Sequence, residues 1–73
     1  MKRTHVVRFF RHDSMTEIYY GSRRGAEVGI GKHLCGSARP ASKAYLFLLG
    51  KDGGGHLLGI AERRGLGWEW IRS

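Results

Sequence analysis

The sequence predicts a small α+β domain: one antiparallel β-sheet with a single helix packed on one face, in the order β-β-β-α-β-β. Three observations predict it. Short β-branched and aromatic runs recur along the chain, separated by turns rich in Gly, Asp and Arg, which is the pattern of successive hairpins. One stretch, Ser37 to Gly50, combines a helix start signal, a helical period and a stop signal. Seventy-three residues with 41% apolar content suffice for one modest core, so 1–73 is read as a single domain.

The first strand is read over 4–11, THVVRFFR. Val7 and Phe9 share one face with His5 and Arg11; Val6 and Phe10 share the other with Arg8. Both faces are mixed, which leaves the buried face open. His12-Asp13-Ser14 has turn chemistry, and TEIYYG follows as a second strand with Ile18 and Tyr20 inward. Ser22-Arg23-Arg24-Gly25 is then read as a turn, and AEVGIGKHLCG as a third strand with Val28, Ile30 and Leu34 on one face. Gly29 and Gly31 lie between them. Glycines at alternate positions mark a bulge or a close backbone approach, and an aromatic ring is a candidate neighbour.

The helix is expected over Ser37–Gly50. Ser37 or Ser42 caps it and Pro40 occupies the first turn. Ala41, Ala44, Tyr45, Leu48 and Leu49 form an apolar stripe, and Gly50 ends it. Leu46 and Phe47 fall off that stripe, which leaves a buried strand, YLFLL, as the alternative. Lys51-Asp52-Gly53-Gly54-Gly55 is a connector, and HLLGIAE is the fourth strand. Arg63-Arg64-Gly65-Leu66-Gly67 turns the chain into WEWIRS, where Trp68 and Trp70 share one face and Glu69 and Ile71 the other.

Charge supplies the functional signal. Lys and Arg number 13 against 6 Asp and Glu, a net charge of +7, and nine of the thirteen are arginine. Such a field draws in polyanions, and the guanidinium fork pairs bidentately with phosphate or carboxylate. Two segments, YYGSRRG and GIAERRG, both end in Arg-Arg-Gly. Placed at one sheet edge, Arg23, Arg24, Arg63 and Arg64 would present four forks to an anion. Arg39 and Lys43 would support them at the helix start, where backbone N–H groups favour negative charge. Trp68, Trp70 and Tyr19 are stacking candidates, although indoles in so small a chain serve the core first.

Other chemistries find little footing. Gly50-Lys51-Asp52 closes an expected helix, whereas a phosphate loop needs Gly-Lys-Ser/Thr opening one. His33 and Cys35 lack two further ligands at zinc spacing, so neither metal nor cofactor is expected. Cys35 is read as a small buried thiol. As a lone cysteine it forms no internal disulfide, and nothing points to an oxidising compartment. The carboxylates show no acid–base pairing, and so short a chain has little room for a water-excluding pocket, so no enzyme is expected. The start, MKRTHVVRFFRH, fails as a signal peptide because Arg8 interrupts its apolar run and no small-residue cleavage site follows. The apolar run Ala44–Leu49 is too short to span a membrane. A cytoplasmic protein is expected.

Two resemblances accompany this layout. EVGIGKHLCGSARPASKAYLFLL resembles the last strand and second helix of a double-stranded-RNA-binding domain, where a basic helix start grips phosphates; here Arg39 and Lys43 stand near that point. The arrangement of GSARPASKAYLFLL followed by HLLGIAERRGLGWEWIRS is similar to that of small phage anti-CRISPR proteins. That likeness implies binding to a bacterial CRISPR effector complex and a block on target DNA, and it carries over no functional residue. The expectation is a non-enzymatic module that contacts nucleic acid or a nucleoprotein complex, with a phage-type inhibitor as the alternative. So small a domain can also complete its core by homodimerising through an open sheet edge.

Overall fold

The computed structural model describes residues 3–36, 38–51 and 54–72. It is an α+β domain of one helix and one five-stranded antiparallel sheet. The elements are β1 (His5–Phe10), β2 (Met15–Tyr20), α1 (Arg23–Cys35), β3 (Lys43–Leu49), β4 (Gly55–Arg64) and β5 (Gly67–Arg72), with the sheet ordered β2-β1-β3-β4-β5.

The chain order is therefore β-β-α-β-β-β, and two expectations exchange places. The expected third strand is the helix, and the expected helix is the third strand. The reason lies in local chemistry on one side and position on the other. Ser22 takes extended backbone and its Oγ accepts from the Gly25 N–H at 3.0 Å, an N-cap rather than a turn. Arg23 pairs with Glu27 one turn on, and Lys32 and His33 occupy the last turn, where they complement the helix dipole. Ala26, Ile30 and Leu34 make a narrow buried stripe at intervals of four, while Val28 faces solvent.

β3 lies at the centre of the sheet, so both of its faces are covered or partly covered. Its apolar run lacks the alternation that marks a half-buried strand. Ala44 and Leu46 are fully buried against the helix; Tyr45, Phe47 and Leu49 stand on the opposite face, partly covered. Pro40 and Ala41 precede the strand, and the Ala41 N–H donates to the His33 carbonyl at 2.9 Å, tying helix end to strand start. Ser37, offered above as a cap, and Asp52 and Gly53 of the connector lie outside the described residues.

The core sits between the helix and one sheet face. Val7 and Phe9 of β1 are fully buried there with Ala26, Ile30, Leu34 and Leu46, which settles the inward face of the first strand. Ile18, Tyr20, Trp68 and Trp70 pack around it, as the alternation in β2 and β5 predicts. The glycines of the helix receive aromatic rings. A Cβ at Gly29 would strike the Tyr20 ring, with Cε1 only 2.8 Å away, and one at Gly31 would meet Trp68 Nε1 at 3.3 Å. The β4–β5 hairpin turns on two residues: Gly65 has φ +58° and stands first in the loop, the place where a type II′ turn demands glycine.

Candidate binding surfaces

Cross-strand partners share a face, so the register maps the side of the sheet that the helix leaves open. One row runs Met15, Phe10, Lys43, Glu62, Glu69; the next runs Glu17, Arg8, Tyr45, Ile60, Arg72; the third runs Tyr19, Val6, Phe47, Leu57. The centre of this open face is aromatic and aliphatic. Phe10 and Tyr45 meet edge to face at 5.1 Å, and the Arg8 guanidinium lies 5.2 Å from the centre of the Phe47 ring. A depression of about 330 Å³ opens between Val6, Tyr19, Phe47 and Leu49, with Arg8 and Glu17 on its rim.

Most charges on this face are paired, and Arg72, opposite Ile60 at the β5 edge, has no carboxylate within ion-pairing distance among the described residues. Arg8 pairs with Glu17 at 2.8 Å, and Lys43, Arg64, Glu62 and Glu69 form a small network whose shortest link is Arg64 to Glu69 at 2.7 Å. Three cations thus meet three glutamates among the described residues. The Arg8 contact and the Tyr19 hydroxyl, which donates to the other carboxylate oxygen at 3.0 Å, hold the Glu17 carboxyl below its usual range. The same hydrogen bond pushes the Tyr19 phenol up.

Most of the surplus of positive charge lies elsewhere. Arg23, Arg24 and Lys32 are exposed on the helix, with Glu27 their one acidic neighbour along it. Arg63 falls in the register of Ala61 and Trp68, on the helix side of the sheet, and is exposed. Among the described residues no carboxylate lies within ion-pairing distance of Arg24, Lys32 or Arg63. Arg11 reaches across the end of the helix, donating to the Arg39 carbonyl at 2.9 Å and lying 3.4 Å from His33 Nδ1. Burial and then that guanidinium hold the His33 imidazole below its ordinary value.

These positions revise the arginine arrangement expected from sequence. Arg23 and Arg24 do not sit at a hairpin tip; they open the helix, just beyond the end of the sheet where His5 pairs with Tyr20. Arg63 and Arg64 close β4 at the opposite end, so the two Arg-Arg-Gly segments never share an edge. The structure instead gathers Arg39, Lys43, Arg63 and Arg64 at one end, with Arg11. Lys43 begins a strand rather than a helix. Within each pair of arginines one is engaged: Arg23 with Glu27, Arg64 with Glu62 and Glu69.

Three further readings change. Trp68 and Trp70 stand 5.2 Å apart edge to face on the helix side, and Arg23 lies 5.9 Å from the Trp70 ring, so of the three stacking candidates Tyr19 alone is on the open face. Cys35 is exposed at the last helical position, not buried. Phe10, Tyr45 and Phe47 are open-face residues that the sequence reading passed over. Their signal was the segregation of side-chain type in KAYLFLL read as a strand apolar on both faces: Ala44 and Leu46 on one, the aromatic Tyr45 and Phe47 on the other.

Among the described residues no group of three His, Cys, Asp or Glu side chains could hold a metal ion, and no helix is long and apolar enough to cross a membrane. No protein-family model, curated protein or solved structure matches the chain.

Proposed function

We propose that this chain is a non-enzymatic binding module that holds nucleic acid against its helix side. The observation that carries the reading is the separation of charge: among the described residues of the open face glutamates match every cation but Arg72, so most of the surplus behind +7 lies on the helix and the ends of the sheet. A thirteen-residue helix spans about 20 Å, so Arg24 at its start and Lys32 near its end can reach separate phosphates. Arg63, Arg11 and Arg39 extend the same side at the far end. Phosphate contacts of this kind bind with little sequence preference and weaken steeply with salt.

The test is binding of a labelled random duplex and a labelled single strand, measured between about 50 and 200 mM salt. Binding is expected to fall steeply over that range. Arg24→Ala and Arg63→Ala should each reduce the salt slope by about 1, as loss of one phosphate contact does. Lys43→Ala and Arg64→Ala should do less, because those charges are spent on Glu62 and Glu69. No binding at the lower salt would remove the proposal.

The open face favours a second reading. An aromatic centre with an ion-paired margin suits contact with a protein, as in the inhibitor of a CRISPR effector complex that the arrangement of the chain resembles. Binding to such a complex that survives high salt and is lost on Leu57→Lys would support it. Loss on Arg24→Ala instead would return the contact to the helix side.

A further inference from the structure

The two layers of the protein are unequally filled. Of the nine residues in the buried cluster under the helix, four are alanine: Ala26, Ala41, Ala44 and Ala61. Much of the bulk that could have filled a core stands on the other side of the sheet, in Phe10, Tyr45, Phe47, Leu49, Leu57 and Ile60. Met15 is 48% exposed and Leu57 39% exposed on that face. A chain of this size buries only about 60% of its unfolded surface, so leaving these side chains only partly covered forgoes stabilisation that a second layer would supply.

We infer that two copies of this chain pack open face to open face, forming a sandwich of two sheets with a helix on each outer side. The charge distribution argues for a second copy as the occupant. Arg8, Lys43 and Arg64 are matched by Glu17, Glu62 and Glu69 within each face, and Arg72 stands on the edge strand, so closing two such faces opposes one unmatched cation per copy at the margin and none at the centre. The cationic helix sides then point away from each other. Area argues the same way. Five strands at about 4.8 Å and six residues at about 3.4 Å make roughly 500 Å² of sheet per copy, so a pair covers roughly 1,000 Å², the lower bound for a specific interface. Aligned sheets pack about 10 Å apart with side chains interdigitating, and the depression beside Phe47 gives the facing surface relief to fit.

This pairing responds to salt in the opposite sense from polyanion binding. Screening relieves repulsion between two chains of +7 and leaves apolar burial intact, so salt strengthens the dimer.

The experiment is sedimentation equilibrium of the whole chain from low to high micromolar concentration, at about 0.1 and 0.5 M salt. The expected result is a concentration-dependent approach to twice the chain mass of 8.2 kDa, tighter at the higher salt. Met15→Lys and Leu57→Lys place a charge at positions already exposed in the single chain, so each leaves the fold intact. Each should weaken the dimer at least about tenfold, while Arg24→Ala should not weaken it. A chain that stays monomeric throughout overturns the inference and leaves the open face for a foreign protein. A dimer indifferent to both lysines also overturns it, since pairing would then run through a strand edge.

Discussion

Tyr20 lies in the slot that Gly29 leaves on the helix. The ring runs beside the helix from Gly25 to Gly29, and no side chain larger than hydrogen fits between Gly29 and the phenol end. A residue that disfavours helix by about 1 kcal/mol relative to alanine is thus the one that lets the helix settle on β2.

Gly29→Ala should therefore destabilise the protein even though alanine is the better helix former. Overpacking costs about 1–3 kcal/mol and the propensity gain offsets about 1 kcal/mol of it. Gly31→Ala meets only Trp68 Nε1 at 3.3 Å and should be close to neutral. In urea unfolding the two variants should differ by about 1–2 kcal/mol. A Gly29→Ala protein as stable as the parent would show that Tyr20 moves aside freely.

Ser22 caps the helix at residues 23–35. Removing its oxygen leaves the Gly25 N–H without its acceptor, and Ser22→Ala should cost about 1 kcal/mol. Ser22→Asp should preserve stability, because aspartate caps as well and adds favourable charge at the helix start. If Ser22→Ala unfolds at the parental urea midpoint, the cap contributes nothing.

His33 makes stability depend on pH. It stacks on Phe9 with ring centres 4.4 Å apart, and burial, then Arg11, lowers its folded-state pKa below the ordinary 6.5. The unfolded chain therefore takes up the proton first. Stability is whole above the unfolded value, declines as pH falls below about 6.5, and levels once the folded form is protonated. Arg11→Ala should raise the His33 midpoint only part-way, since burial is the larger cause. Imidazole proton shifts followed by NMR report it; a midpoint at or above 6.5 in the parent would contradict the packing described.

Arg8 first and the Tyr19 hydroxyl second lower the Glu17 carboxyl, and the same Glu17–Tyr19 hydrogen bond raises the phenol. The Glu17 carboxyl should titrate below its usual 4.5, and Arg8→Ala should raise it. A depressed carboxyl contributes stability above its unfolded pKa and loses it as pH falls through the folded one, and here the contribution is small because the pair is exposed. The Tyr19 phenol should titrate above 10.0, and Glu17→Gln should bring it down. Unchanged Tyr19 absorbance titration in Glu17→Gln would place the hydroxyl elsewhere.

How far each element was legible follows from the kind of signal it carries. Ile18 and Tyr20 alternate with Glu17 and Tyr19, and Trp68 and Trp70 with Glu69, so their inward faces could be read directly. The arrival of an aromatic ring on Gly29 was legible too, though the backbone beneath it is helical. In 23–50 the local signals were evenly matched. The helix carries three glycines in its start and middle and buries a narrow stripe, while KAYLFLL is apolar on both faces as a central strand must be. Leu46 and Phe47, which broke the helical stripe, were the residues that told the truth about that segment.

By itself, then, the sequence determined the class of fold, the net charge of +7, and the first and last hairpins of the sheet, because these rest on composition, alternation and turn chemistry within a few residues. Only the tertiary structure decided which of two glycine-punctuated segments coils and which pairs, since a central strand earns its hydrogen bonds from β1 and β4, both distant in the chain. It also decided that Arg23 and Arg24 stand at the opposite end from Arg63 and Arg64, and that Glu17, Glu62 and Glu69 pair with Arg8, Lys43 and Arg64 on one face. Charge placement depends on register between strands, and no local pattern records it.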